Sequence, residues 1–236
     1  MTPASNTFLA NPFFLIALTF IVFLGSQWLS RRIGLRLFNP ILISIAVLIA
    51  LLCGFGVDYE AYRAGGQYIE FWLKPAVVAL GVPLYRQLST IRKQVVPLLV
   101  AELAGCAAGL VSVVVIAEML GATREVALSL APKAVTTPIA IEISQSLGGI
   151  PALTAAVVVC TGIFGSIAGF KIVSLSRIKS PMATGLSIGT ASHAVGTAAA
   201  MERGERYGAF SSLGLTLNGI LTALLAPYIL GLLVSP

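Results

Sequence analysis

Charge is scarce in this sequence. Charged residues make up only 10% of the 236 residues, whereas hydrophobic residues make up 57%. A soluble domain carries about 25% charged residues, so this chain has too few charges to cover a surface that faces water. Several apolar runs approach the roughly 20 residues that a helix needs to cross a bilayer. The sequence therefore predicts an all-α polytopic membrane protein, with a single integral membrane domain over residues 1–236.

The residue types that build catalytic and metal sites are also few. His193 is the sole histidine, and no HExxH, GxSxG or Walker-type motif occurs. One histidine and scattered acids cannot supply a nucleophile, a base and an orienting group. We therefore expect no enzyme activity, no metal and no cofactor. The net charge of +6 comes from basic residues in short loops, which indicates membrane topology rather than a nucleic-acid partner.

The loops differ in charge. Three loops contain basic residues and no acid: 30–39, 86–94 and 171–180. Three others hold seven of the nine acids: 57–70, 118–125 and 202–206. The positive-inside rule places the first set in the cytoplasm, and the second set then faces outward. This assignment predicts a protein of the bacterial inner membrane, with the N-terminus outside and the C-terminus cytoplasmic.

The order of these loops predicts a re-entrant segment. An odd number of crossings must connect the outer loop 118–125 to the inner loop 171–180, yet two apolar stretches lie between them. The stretch 150–170 is continuous and crosses. The stretch 126–147, with its Pro, Lys and Thr residues, enters the membrane and returns, because non-helical backbone at that depth is tolerated only where it lines a protein-enclosed cavity. With 181–201 running outward and 208–234 inward, about seven crossings result; eight full spans are the alternative.

Two further spans are short or rich in small residues. The first, 71–85, is broken by prolines, and the second, 185–200, has glycines around His193. They occupy matching places in two repeat-like halves, about 12–120 and 125–234. Paired broken helices in inverted repeats are typical of transporters with a site at the membrane midplane. The alternative for 185–200 is a close-packed helix interface. The residues expected to break these two segments and the re-entrant segment 126–147 are Pro75, Pro83, Pro132, Pro138, Gly189 and Gly196.

The polar side chains of 126–147 and 185–200 form a candidate anion site. Its predicted members are Lys133, Thr136 and Thr137 on one side, and Thr190, Ser192, His193 and Thr197 on the other. Lys133 supplies a positive charge, and a helix start near Pro138 supplies free N–H groups. Lys133 reaching the lipid headgroups and His193 in a structural role are the alternatives. For proton coupling the candidates are His193, whose imidazole titrates in the physiological range, and Glu102.

Four stretches carry a resemblance to a known family. "PKAVTTPIAIEIS", "GGIPALTA", "GLSIGTASHAVGTA" and "GAFSSLGLTLNGILTALLAP" are similar to the LrgB/CidB family of antiholin-like membrane proteins. They also resemble the C-terminal half of the plastid glycolate/glycerate translocator. The likeness is strongest over 125–234 and continues more weakly over 12–120.

The resemblance implies two functions. One is secondary transport of small 2-hydroxy monocarboxylates such as glycolate, glycerate or lactate, to which the proton coupling expected from His193 or Glu102 would be added. The alternative is a holin/antiholin-like role in murein hydrolase export and autolysis, together with a separately encoded LrgA/CidA-type partner. We also expect a homo-oligomer in the lipid bilayer. The residues themselves favour transport, because a pore former does not need broken helices around a basic, hydroxyl-rich centre.

Overall fold

The computed structural model describes residues 11–33, 39–72, 75, 78–79 and 81–234, with only the backbone of residues 83 and 84. All regular structure within these residues is helical and none of it is a strand, which confirms the all-α class. The chain divides into two compact units, Met1–Ala79 and Leu80–Pro236. The single domain with two repeat-like halves stays a prediction.

The first unit contains helices α1 (Pro12–Ile33), α2 (Pro40–Phe55) and α3 (Tyr59–Phe71). Helix α3 occupies most of the predicted outer loop 57–70, so the interpretation of that stretch as a loop was wrong. Three positions at three-residue spacing face α1: the Tyr62 hydroxyl lies 3.1 Å from that of Thr19, Gly65 packs on the start of α1, and Tyr68 stacks on Phe13. These three contacts with α1, at helical spacing, stabilise a helix in a segment whose charges alone suggested a loop.

The second unit begins with two short helices and continues with longer ones. They are α4 (Gly81–Arg86), α5 (Leu88–Lys93), α6 (Val95–Met119), α7 (Arg124–Leu130), α8 (Thr137–Ser146), α9 (Pro151–Leu175), α10 (Pro181–Arg203) and α11 (Glu205–Leu233). Of the described helices, α1, α6, α9 and α11 are long and apolar enough to cross a membrane. The predicted broken span 71–85 falls largely outside the described residues, as does Lys74 within it. Its pairing with 185–200 therefore stays a prediction.

Helices α7 and α8 form a hairpin, here called the first hairpin, with residues 131–136 at its tip. At 1.5 Å per residue they are about 10 and 15 Å long, too short to cross a bilayer. The Thr154 hydroxyl of α9 lies 3.0 Å from the Ser129 carbonyl oxygen of α7 and 2.7 Å from the Ser144 hydroxyl of α8. Both helices therefore reach the same level of α9, near its N-terminus. The chain reverses here as the crossing count requires.

Helix α10 also reverses, at His193, where the backbone has φ 43° and ψ −142°. Gly185 packs against the Tyr207 carbonyl, and Met201 packs against Gly208. Positions 185 and 201 would lie about 24 Å apart in a straight helix, yet here they contact neighbouring residues of α11. The halves 181–192 and 194–203 therefore run in opposite directions, and we call them together the second hairpin.

The second hairpin opens at the opposite end of α9 from the first. The Arg203 guanidinium lies 4.5 Å from the centre of the Phe170 ring, close to the C-terminus of α9. The other end of the hairpin, Pro181, follows α9 after five residues. Since α9 is about 37 Å long, the two hairpins enter from opposite ends and their tips approach each other between those ends.

This reversal overturns two predictions. Residues 181–201 do not form a single crossing, because their ends lie together. Moreover, an Arg86 nitrogen lies 3.1 Å from a Glu205 oxygen, so the predicted inner loop 86–94 and the predicted outer loop 202–206 lie at the same end of the second unit. The loop 202–206 contains two arginines besides its two glutamates. Acidic residues contribute little to the positive-inside rule, so these glutamates gave a misleading signal.

We expect membrane labelling to reflect this arrangement. In a variant without native cysteines, Ser176→Cys and Arg206→Cys should both react with an impermeant thiol reagent from the cytoplasmic side only, because the second hairpin returns to the side it left. Leu120→Cys serves as the control and should react from outside. If 171–180 is cytoplasmic and α10 is a hairpin, α11 ends outside and not in the cytoplasm as the charge pattern predicted, so Val234→Cys should also react from outside. Labelling of positions 176 and 206 from opposite sides would contradict the hairpin.

Candidate functional site

A cavity of about 430 Å³ lies in the second unit, bounded by α6, α9, α11, the tip of the first hairpin and the first half of α10. Asn218 of α11 lies about 20 Å from one end of its helix and about 22 Å from the other. In a helix that crosses a bilayer, this position is close to the midplane. The polar residues lining the cavity are Glu102, Cys106, Lys133, Thr161, Ser187, Thr190, Asn218 and Thr222.

The two hairpin tips meet at Val158 of α9. Val135 of the first tip packs against the Val158 side chain in a buried cluster. At the second tip, His193 Nε2 lies 2.8 Å from the Val158 carbonyl oxygen. A carbonyl only accepts hydrogen bonds, so Nε2 carries the hydrogen and donates it. Gly162 provides the space for the imidazole, since a Cβ there would stand 2.5 Å from His193 Cε1.

Asn218 connects the two tips through hydrogen bonds. Its Nδ2 donates to the Ala134 carbonyl of the first hairpin at 3.3 Å and to the Thr190 carbonyl of the second at 2.9 Å. Its Oδ1 accepts from the Thr222 hydroxyl at 3.3 Å, and that hydroxyl lies 3.3 Å from Cys106 Sγ. Loops and helix breaks leave backbone carbonyls without their usual partners, and one buried amide satisfies such a group from each hairpin.

Glu102 is buried beside Thr190. Its side chain is 1% exposed, and its two carboxyl oxygens lie 2.8 and 2.9 Å from the Thr190 hydroxyl. The same hydroxyl lies 2.8 Å from the Leu186 carbonyl, to which it can donate its single hydrogen. A protonated Glu102 can then donate to Thr190 Oγ1. No cation forms an ion pair with Glu102 within the described residues, and an isolated buried carboxylate is costly, so this site suits a group that takes up and releases a proton.

Lys133 is the cation of the cavity. It lies at the tip of the first hairpin, is half-buried, and lines the cavity. In the part of the chain that the structure describes, its ammonium group forms neither a hydrogen bond nor an ion pair. An unpaired cation on a cavity wall attracts a carboxylate, because a charge-assisted hydrogen bond is about twice as strong as a neutral one.

Five of the predicted site residues lie away from the cavity lining. Ser192 packs against Gly165, and the Thr197 hydroxyl lies 2.9 Å from that of Ser211, so both contribute to packing around the second hairpin. His193 holds the hairpin tip. Thr136 and Thr137 begin α8, and neither is among the lining residues. Of the predicted set, the cavity therefore brings together Lys133 and Thr190, with Glu102 beside them.

The predicted helix breakers have different local roles. Pro132 lines the cavity at the first tip. Pro138 is the second residue of α8, where a missing N–H costs nothing. Gly189 allows close approach to the Ser211 backbone, and Gly196 to the Ser192 side chain. The break itself lies at His193. Pro75 has helical backbone, and the side chain of Pro83 lies outside the described residues.

Sequence reasoning missed Asn218, which contacts both tips. The signal was present: a single amide stands in the apolar run "GLTLNGILTALL". A polar side chain inside a membrane span is a functional candidate by default. Thr161 and Thr222 carried no comparable signal, because a threonine inside a membrane helix commonly bonds to its own backbone.

Comparisons with known proteins place the chain in a family. The model of the LrgB-like family matches residues 19–232. An uncharacterised Bacillus subtilis protein, YxaC, is 38% identical, with 92% of this chain and 95% of the relative covered. A Bacillus mycoides protein named antiholin-like protein LrgB is 34% identical over the same shares. No solved structure matches the chain significantly.

These relatives fit the architecture described above. The family match covers residues 19–79 of the first compact unit and residues 80–232 of the second. The apolar helices together with bacterial relatives over nine tenths of the chain indicate a multi-pass bacterial membrane protein. The match includes every residue that lines the cavity. The chain belongs to the LrgB-like family.

Proposed function

We propose that this chain is a secondary transporter of small 2-hydroxy monocarboxylates, of the glycolate, glycerate or lactate type. The observation that carries the proposal is the unpaired Lys133 in a cavity between two hairpin tips that enter from opposite ends of α9. Broken helices meeting near the midplane are the usual architecture of solute sites in secondary transporters. A single cation suits a monoanion better than a dianion.

In this proposal the substrate carboxylate pairs with Lys133. Its 2-hydroxyl group needs both a donor and an acceptor, and the hydroxyls of Thr161 and Ser187 on the cavity wall offer both. Each hairpin separates the cavity from one side of the membrane, so movement of the hairpins opens the site to one side at a time. The predicted members Thr136, Thr137, Ser192, His193 and Thr197 then support the tips rather than contact the substrate.

The proposal includes coupling to protons. Glu102 is the favoured carrier, because it lies on the cavity wall and its only described side-chain partner is a neutral hydroxyl. His193 is the second candidate. Its Nε2–H is already donated to the Val158 carbonyl, and it does not line the cavity. Protonation of Glu102 removes a negative charge close to where the anion binds, so proton uptake and substrate binding favour each other.

Uptake into liposomes tests the proposal. We expect purified protein to accumulate labelled glycolate, glycerate or lactate when the outside is acidic and the lumen alkaline, because protons then enter down their gradient with the anion. Glu102→Gln should keep substrate exchange but lose the dependence on the pH gradient, whereas His193→Gln should retain it. Absence of uptake and of exchange for all three acids would contradict the transport proposal.

A second function is supported by the names of the relatives. Several Bacillus relatives at 34% identity are named antiholin-like protein LrgB, and the comparisons favour this function over transport. Under it, the chain regulates murein hydrolase export and autolysis in the inner membrane, as a homo-oligomer or with an LrgA/CidA-type partner. A strain that lacks the gene for this chain separates the two functions. If a Lys133→Met variant that no longer transports restores the control of lysis in that strain, the regulatory function is favoured.

A further inference from the structure

The cavity wall formed by α6 has a row with two polar residues, here called the polar row, and a row of small residues. Residues four apart lie on one face of a helix. One row contains Glu102, Cys106 and Leu110, and the adjacent row contains Ala101, Gly105 and Gly109; all six line the cavity. The polar row faces the groups described above. The second row leaves a strip of wall without side chains larger than a methyl group.

The two glycines of this strip are not equivalent. A Cβ added at Gly105 would stand 3.3 Å from Thr190 Cγ2, whereas a Cβ at Gly109 would have no atom within 4 Å. Glycines in membrane helices usually allow another helix to approach closely, but none of the described residues approaches Gly109 in this way. Glycine also weakens a helix relative to alanine. The open space at Gly109 is part of the cavity that this residue lines.

The cavity is larger than the proposed substrates require. The cavity volume of about 430 Å³ is many times the roughly 30 Å³ that one water molecule occupies in the liquid, whereas glycolate has only five non-hydrogen atoms. One cation fixes one carboxylate, so the remaining space cannot be assigned to a second acidic group. Apolar atoms of Ala101, Leu110 and Leu186 form much of the remaining wall, which suits a hydrocarbon chain.

We propose that Gly109 determines the length of the hydrocarbon chain that the site accepts. The inference rests on the proposed transport of 2-hydroxy monocarboxylates. The carboxylate is held at Lys133, and the alkyl chain extends along the wall of small residues toward Gly109. The preferred ligands are then 2-hydroxy acids of four to six carbons, not only those of two or three.

Competition binding tests this proposal. Glycolate, lactate, 2-hydroxybutyrate and 2-hydroxyhexanoate compete with labelled lactate for the purified protein. We expect the parent to bind the longer acids at least as tightly as lactate. Gly109→Ala should weaken the six-carbon acid about tenfold, the usual effect of one methylene in an apolar pocket, and Gly109→Leu should weaken it further. Both variants should bind glycolate as the parent does, which also shows that they are folded.

Gly25→Leu is the matched control. Gly25 lies inside α1, and a Cβ there also has no atom within 4 Å, but it is not part of the cavity wall. It should leave the chain-length profile unchanged. If the parent binds none of the four acids, the proposed function fails before any variant is compared. If the parent binds them and Gly109→Leu has the parent's profile, or weakens all four equally, the role of Gly109 is overturned.

Discussion

Replacing Lys133 with methionine is expected to weaken the binding of 2-hydroxy monocarboxylates strongly while the protein stays folded. A hydrogen bond to a charged group contributes about 1.5–3 kcal/mol, so the loss should be at least tenfold and up to about 150-fold in Kd. Methionine keeps most of the aliphatic stem. Since the Lys133 ammonium has no acidic partner among the described residues, its removal leaves no buried carboxylate unpaired. Equilibrium binding of labelled lactate measures the effect.

Lys133→Arg is the matched control for this variant. It keeps the positive charge at the same tip, although the guanidinium is larger and planar, so we expect weakened but measurable binding. Circular dichroism and size-exclusion chromatography should be the same for both variants. Binding by Lys133→Met as tight as that of the parent would place the anion elsewhere and would remove the main support for the transport proposal.

Gly189→Val is expected to have the largest effect on stability. A Cβ at this position would overlap the Ser211 carbonyl oxygen and stand 2.9 Å from the Leu215 nitrogen. Both atoms belong to the backbone of α11 and cannot rotate away. Overpacking of this kind costs about 1–3 kcal/mol, and occasionally more. We expect a fall of many degrees in the melting temperature of the detergent-solubilised protein, or no folded protein.

The control for this variant is Gly54→Val. Gly54 lies in α2, and a Cβ there has no atom within 4 Å. The same glycine-to-valine change is therefore made in a helix without the clash, and only a small change in melting temperature should follow. Equal melting temperatures for the two variants would mean that the second hairpin does not pack against α11 as closely as described.

The sequence predicted the structure best in segments that contain both residues that restrict the backbone and residues with polar or charged side chains. In the segment around Lys133, prolines, threonines and a charge in an apolar context predicted a chain reversal, and α7 and α8 form one. The start of α8 at Thr137 also follows from its sequence, because proline fits the first turn of a helix. Glu102 was identified as a candidate for proton coupling because an ionisable carboxyl group is costly inside a membrane span, and such residues usually have a function.

The second hairpin could not be predicted in the same way. Its reversal occurs at His193, and no proline lies between Pro181 and the end of α10. The break is stabilised by contacts distant in sequence: the Val158 carbonyl, the space at Gly162 and the α11 backbone against Gly189. Local propensity carries no information on such contacts. The charge pattern assigned the wrong side to 202–206, because the two glutamates of that loop were taken as the mark of an outer loop.

Asn218 sets a limit on how the two hairpins can move. The carbonyl oxygens of Ala134 and Thr190 share one amide nitrogen at 3.3 and 2.9 Å, so they are no more than about 6 Å apart. Any rocking of one tip against the other by a few ångströms must break one of these bonds and remove the partner of a buried polar group, at a cost of about 1–3 kcal/mol. The amide therefore couples the two tips and favours displacement of both hairpins together.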